Sequence, residues 1–157
     1  MTLLPSTIEE LRAAVGTTLG PSDWVTLDQA RIDAFAEVTG DHQWIHVDPV
    51  RAATSSWGST IAHGYLTLSL APMLLDQLTR MRRGATSINY GLNRLRFLTP
   101  VPAGGRVRLR ATVLSLADRS QGGVLVTYQL TFELEGAERP ALIAETVSLL
   151  LPQPPGT

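Results

Sequence analysis

From Val124 onward the chain alternates. Val124, Val126, Tyr128, Leu130, Phe132 and Leu134 are apolar, and the positions between them are mostly polar. A period of two predicts a strand with one buried face. "RVRLRATVLSL" alternates in the same way, with Arg106, Arg108 and Arg110 on one face and Val107, Leu109 and Ala111 on the other. "SINYGLNRLRFL" and "PALIAETVSLLL" read as two further strands, and "PAGG", "RSQGG" and "EGAERP" as the turns between strands.

The first half has a helical period. "STIEELRAAVG" carries a capping-box pattern in Ser6 and Glu9 and a stop at Gly16. "DWVTL" reads as a short strand. In "TLDQARIDAFAEVTG", Thr26 and Gln29 form a second capping-box pattern. Ile32, Phe35 and Ala36 share one face there, and Gly40 suits the left-handed position that ends a helix. Asp48-Pro49 is an N-cap and first-turn pair that opens a short helix through "VRAAT". "SSWGST" is loop. A long apolar helix is expected from Tyr65 to Arg82. Leu66, Leu70, Met73 and Leu74 lie on one side, and Leu68, Leu75 and Leu78 widen the stripe. Pro72 is expected to kink it.

Helices first and four long strands afterwards predict an α+β domain, an antiparallel sheet packed on a helix. The 157 residues suit one domain over 1–151, with a disordered tail at 152–157. Charged residues make up 17% of the chain, against roughly 25% in an average soluble protein. A surface that poor in charge predicts burial against a partner subunit. The net charge of −1 excludes the basic footprint of a nucleic-acid binder. The absence of cysteine excludes disulfides, thiolate chemistry and iron–sulfur clusters. "MTLLPSTIEELR" has no secretory pattern, and the apolar run "YLTLSLAPMLL" is too short to span a bilayer, so a cytoplasmic protein with no membrane partner is expected.

Titratable groups concentrate in "EVTGDHQWIHVDP", which holds two of the three histidines. Asp41 and His46 are expected in a non-helical segment anchored by helices at both ends. A carboxylate and an imidazole reaching one water make an acid–base pair. The same spacing also fits an aspartate capping a local turn beside a buried, satisfied histidine. A metal site built from His42, His46, Asp48 and His63 is disfavoured. Gly40 breaks the helical face that would align the first two histidines, and "HQWIH" lacks the glutamate of a zinc-protease helix. Gly64, just before the apolar helix, can offer a backbone N–H to an oxygen gaining negative charge, or can be a plain loop glycine.

"FAEVTGDHQWIHVDPVRAA" followed by "GSTIAHGYLTLSLAPML" resembles the MaoC-like dehydratase family, the (R)-specific enoyl-CoA hydratases of hydratase-2 type. The pattern runs through Phe35, Gly40, Asp41, His46 and Ala52. "RLRFLTPVPAGGRVRLRATV" resembles a later strand of that family, and the match spans Val15 to Leu150. Where the family commonly has Asn-Pro, this chain has Gln43 and Trp44. That departure bears on substrate choice and leaves Asp41 and His46 in place.

The resemblance implies the hot-dog fold, an antiparallel sheet wrapped around a long apolar helix. It also implies reversible addition of water to trans-2-enoyl thioesters by Asp41 and His46, with the Gly64 N–H on the thioester carbonyl. Gln43, Trp44, His63 and Tyr65 would shape the substrate pocket, and Arg94 or Arg96 would meet the anionic carrier. No cofactor is expected beyond an acyl-CoA or acyl-carrier-protein thioester as substrate. A homodimer is expected, because long unprotected strand edges invite pairing. An acyl thioesterase and a silent acyl-thioester-binding subunit are the alternatives.

Overall fold

A computed structural model describes residues 4–81 and 85–152. The first helix, α1 (Ile8–Ala13), starts one residue later than expected. Thr7 is the N-cap and accepts from the Glu10 N–H, while the Glu10 carboxylate accepts from the Ser6 N–H and hydroxyl. Two short strands follow, β1 (Thr18–Leu19) and β2 (Val25–Leu27). Helix α2 (Gln29–Thr39) is capped by Asp28, whose side chain accepts from the Arg31 N–H. The expected Thr26–Gln29 capping box is therefore corrected, and Gln29 is free for another task. Gly40 ends α2 at φ 75°, as its position in the sequence predicts.

The segment between Gly40 and Asp48 is not wholly irregular. Trp44–Val47 form a single helical turn, α3, which corrects the expected loop around His46. Asp48 then caps α4 (Pro49–Ala53) by accepting from the Arg51 N–H, with Pro49 in the first turn. The long apolar helix is split into α5 (Gly64–Ser69) and α6 (Ala71–Leu78). Pro72 is the cause. It has no N–H to give to the carbonyl four residues back, and its ring crowds that carbonyl. Arg82, the expected end, lies outside the described residues.

Strands β3 (Ala85–Phe97), β4 (Gly105–Asp118), β5 (Val124–Leu134) and β6 (Leu142–Pro152) follow. Among the described residues the strands form one antiparallel sheet in the order β1-β4-β5-β6-β3, with β2 also on β4. The expected tail begins inside β6 at Pro152, and its remainder, 153–157, lies outside the described residues. The inner face carries Val107, Leu109, Leu130, Phe132 and Leu142, all fully buried. They share one core with Leu66 of α5, Leu74 and Leu78 of α6, and Leu70 at the junction between the two helices. Each such leucine contributes about 1.5–3 kcal/mol relative to exposure. A sheet curled around an apolar helical segment is the hot-dog fold, here with a broken central helix.

On the outer face the arginines of β4 pair with Glu133 of β5 and with Glu135 just past its end. Arg106 bonds Glu135, and both Arg108 and Arg110 bond Glu133. Strand β3 lies at the sheet edge. Its register shifts twice, between Asn89 and Gly91 and between Leu92 and Arg94. Ile88, Tyr90, Leu92 and Phe97 on this strand are exposed.

Candidate active site

Three elements meet at one point. The turn after α2 delivers Asp41, α3 delivers His46, and the residue before α5 is His63. One carboxylate oxygen of Asp41 and one ring nitrogen of each histidine all lie within 4.8 Å of one another. A single water at hydrogen-bond distance, about 2.8 Å from each partner, spans such a gap. The Asp41 side chain is about half exposed (55%), whereas His46 and His63 are buried at 7% and 3%.

His46 is held at both its ring and its main chain. Its Nδ1–H donates to the Ile61 carbonyl at 2.7 Å, which leaves Nε2 as the free, proton-accepting nitrogen. Its carbonyl accepts from Gln29 Nε2 at 2.8 Å, and the buried Thr60 hydroxyl donates to the Gln29 side-chain oxygen. Burial lowers the pKa of His46. The Ile61 bond opposes that shift, His63 adds to it, and the Asp41 charge opposes it. A neutral imidazole with a bare Nε2 is a general base.

The cavity beside His46 has a volume of about 420 Å³, and its wall includes Gly64, Tyr65, Phe97, Thr99 and Leu142. Gly64 opens α5 directly against Phe97. A Cβ built on it would lie 2.8 Å from two Phe97 ring carbons, so only glycine fits without displacing the ring. Tyr65 is exposed and packs edge-on against Phe97 with centroids 5.6 Å apart. It also borders a second groove of about 430 Å³, walled by Leu68, Pro72, Leu75, Tyr90 and Leu92.

The other expected site residues lie elsewhere. The Gln43 N–H approaches Asp41 Oδ1 at 3.4 Å, and Trp44 lies under Arg51, whose guanidinium is 4.2 Å from the ring centroid. Neither lines the cavity at His46, and nor does His63, which sits behind His46. Arg94 and Arg96 pair in register with Glu145 and Ile143 on the outer face of the sheet. There they line a separate groove with Asn93 and Gln129, away from Asp41 and His46. His42 approaches Glu37 and Asp48 is engaged as a cap, so neither joins the cluster. His46 and His63 are stacked with planes 26° apart.

Sequence reasoning missed Gln29, Thr60, Ile61 and Phe97. Ile61 acts through its carbonyl, which any residue would supply. Gln29 had a local role available as a cap, and that obscured its reach to His46.

A sequence model of the MaoC like domain matches residues 10–133. The chain belongs to this family. It is 47% identical over 140 residues to 3-hydroxyacyl-thioester dehydratase Z of Mycobacterium tuberculosis, covering 89% of this chain and 93% of that protein. It is 43% identical over 145 residues to nodulation protein N of Rhizobium leguminosarum, covering 91% and 90%. The solved (R)-hydratase of Aeromonas caviae superposes with a TM-score of 0.71 at 30% identity, covering 88% of this chain and 96% of that one.

Proposed function

We propose that the protein is a hydro-lyase that reversibly hydrates trans-2-enoyl thioesters to (R)-3-hydroxyacyl thioesters. The observation that carries this reading is the convergence of Asp41 with an oriented, neutral His46 beside the cavity that Gly64 opens. The names of the mycobacterial and Aeromonas relatives support it. In the hydration direction one water bridges Asp41 and His46. His46 Nε2 takes a proton as the water oxygen bonds to C3. The C2–C3 π electrons move toward the thioester carbonyl, whose oxygen the Gly64 N–H stabilises. The imidazolium then returns the proton to C2 on the same face, completing a syn addition. Asp41 holds the other hydrogen of the water and offsets the charge on His46. Every proton comes from water, so the scheme needs no metal or cofactor.

The thioester itself is supplied by CoA or an acyl carrier protein. The groove beyond Tyr65 suits the acyl chain. A homodimer that covers the edge of β3 accounts for the exposed Ile88, Tyr90 and Leu92 there. No described helix is long and apolar enough to cross a bilayer, and the substrate class fits the cytoplasm. The test is crotonyl-CoA with the purified chain. Loss of enoyl absorbance without thiol release supports hydration. Thiol release would assign a thioesterase, and no change would assign a binding subunit.

A further inference from the structure

His63 was expected to shape the substrate pocket, yet it lies behind the cavity at 3% exposure and touches both members of the pair. Its Nε2–H donates to the Asp41 main-chain carbonyl at 3.0 Å, with the Asp41 carboxylate 3.9 Å away. Its ring stacks on His46 with centroids 3.7 Å apart. Phe35 of α2 packs on His63 in turn, at 5.0 Å. His63 Nδ1 is buried and has no hydrogen-bond partner among the described residues. A buried nitrogen without a partner carries a penalty that an apolar ring of similar shape avoids. Packing alone would thus be better served by phenylalanine.

We infer that His63 is a positioning residue, which fixes Asp41 through its main chain and the His46 imidazole through ring stacking. The inference rests on the hydratase reading for its kinetic consequence, though not for its structural one. The Asp41 carbonyl follows directly after the left-handed Gly40, where the chain has no helical bond to steady it. The tether from His63 supplies that bond. The stack restricts rotation of His46, whose Nδ1 bond to Ile61 defines one direction in the ring and leaves rotation about that direction open. Phe35 anchors the assembly to α2. The titratable groups facing His46 are Asp41 and His63.

Two variants of the full chain separate the two contacts. His63→Phe keeps a ring beside His46 and loses the donor to Asp41. His63→Gln keeps a donor near the Nε2 position and loses the ring. With crotonyl-CoA, kcat of His63→Phe should fall roughly 10–100-fold, as for a misplacement near 1 Å, with KM nearly unchanged. His63→Gln should recover much of that loss. In both variants the acid limb of kcat/KM should move to higher pH, because His63 lowers the pKa of His46 and its removal reverses that contribution. A purely structural role would lower the melting temperature without moving the limb. Titration of the His46 imidazole by NMR reads the same upward shift without turnover. An inactive wild type that still shows this shift would refute the hydratase reading and uphold the link from His63 to His46. An unmoved His46 titration with near-wild-type kcat in both variants would overturn the inference. Equal losses in both variants with no shift would overturn it too.

Discussion

Gly64→Ala probes the closest approach in the site. The new methyl carbon would sit 2.8 Å from Phe97 Cδ1 and Cε1 and 3.0 Å from Cγ. An ordinary carbon–carbon contact is about 3.5–4.0 Å, so the overlap is roughly 0.5–1 Å against three atoms of one ring. Overpacking of that size costs about 1–3 kcal/mol. In a domain of this length each kcal/mol lowers Tm by about 2–4 °C, so a fall of roughly 2–12 °C is expected. Alanine keeps the backbone N–H, and a loss of activity would therefore come from the displaced ring, which lines the same cavity as His46. Adding Phe97→Ala removes the obstacle. The double variant should lose less stability than the sum of the two single changes and should recover part of the lost kcat. Thermal unfolding followed by circular dichroism, with crotonyl-CoA hydration measured in parallel, reads both quantities. A Gly64→Ala protein with wild-type Tm and wild-type kcat would refute the reasoning.

Three further outcomes are expected. His46 must be neutral to act as base and burial lowers its pKa, so kcat/KM should be lost as pH falls below the ordinary histidine value of about 6.5, in an acid limb centred beneath it; a limb above that value would contradict the burial argument. Gln29→Leu removes the donor to the His46 carbonyl and strands the buried Thr60 hydroxyl, which should cost about 1–3 kcal/mol in urea unfolding and lower kcat; an unchanged midpoint would show that the tie is idle. Light scattering at micromolar concentration should give about twice the chain mass, since a C2 dimer is the commonest closed assembly, and a fully active monomer would rule out the covered β3 edge.

The sheet was legible because its information is local. Val124 to Leu134 alternate so regularly that one buried face follows, and Gly40 and Asp48-Pro49 carry their structural meaning within a few residues. The helical turn at Trp44–Val47 was not legible. Four residues hold one turn with no side-chain cap, and its support comes from Gln29, far back in the chain. The split of the apolar helix was half legible, since Pro72 marks the place but does not decide between a kink and a break. At the site, the types and spacing of Asp41 and His46 fitted a capping aspartate beside a buried histidine as well as an acid–base pair, and the family resemblance singled them out. The place of His63 was not legible, because its stack on His46 joins positions that only the tertiary fold brings together. The register of β3 hid the arginines in the same way. Two bulges set which face each residue takes, and a strict alternation cannot count them.

The central claim is that Asp41 and His46 together move the proton of the added water. Its most direct test is the hydration rate of crotonyl-CoA, or a longer enoyl-CoA, by Asp41→Asn and His46→Ala. Each should lose at least about 10²–10⁴ in kcat while its circular dichroism matches the wild type. Near-wild-type kcat in both, with unchanged spectra, would contradict the claim.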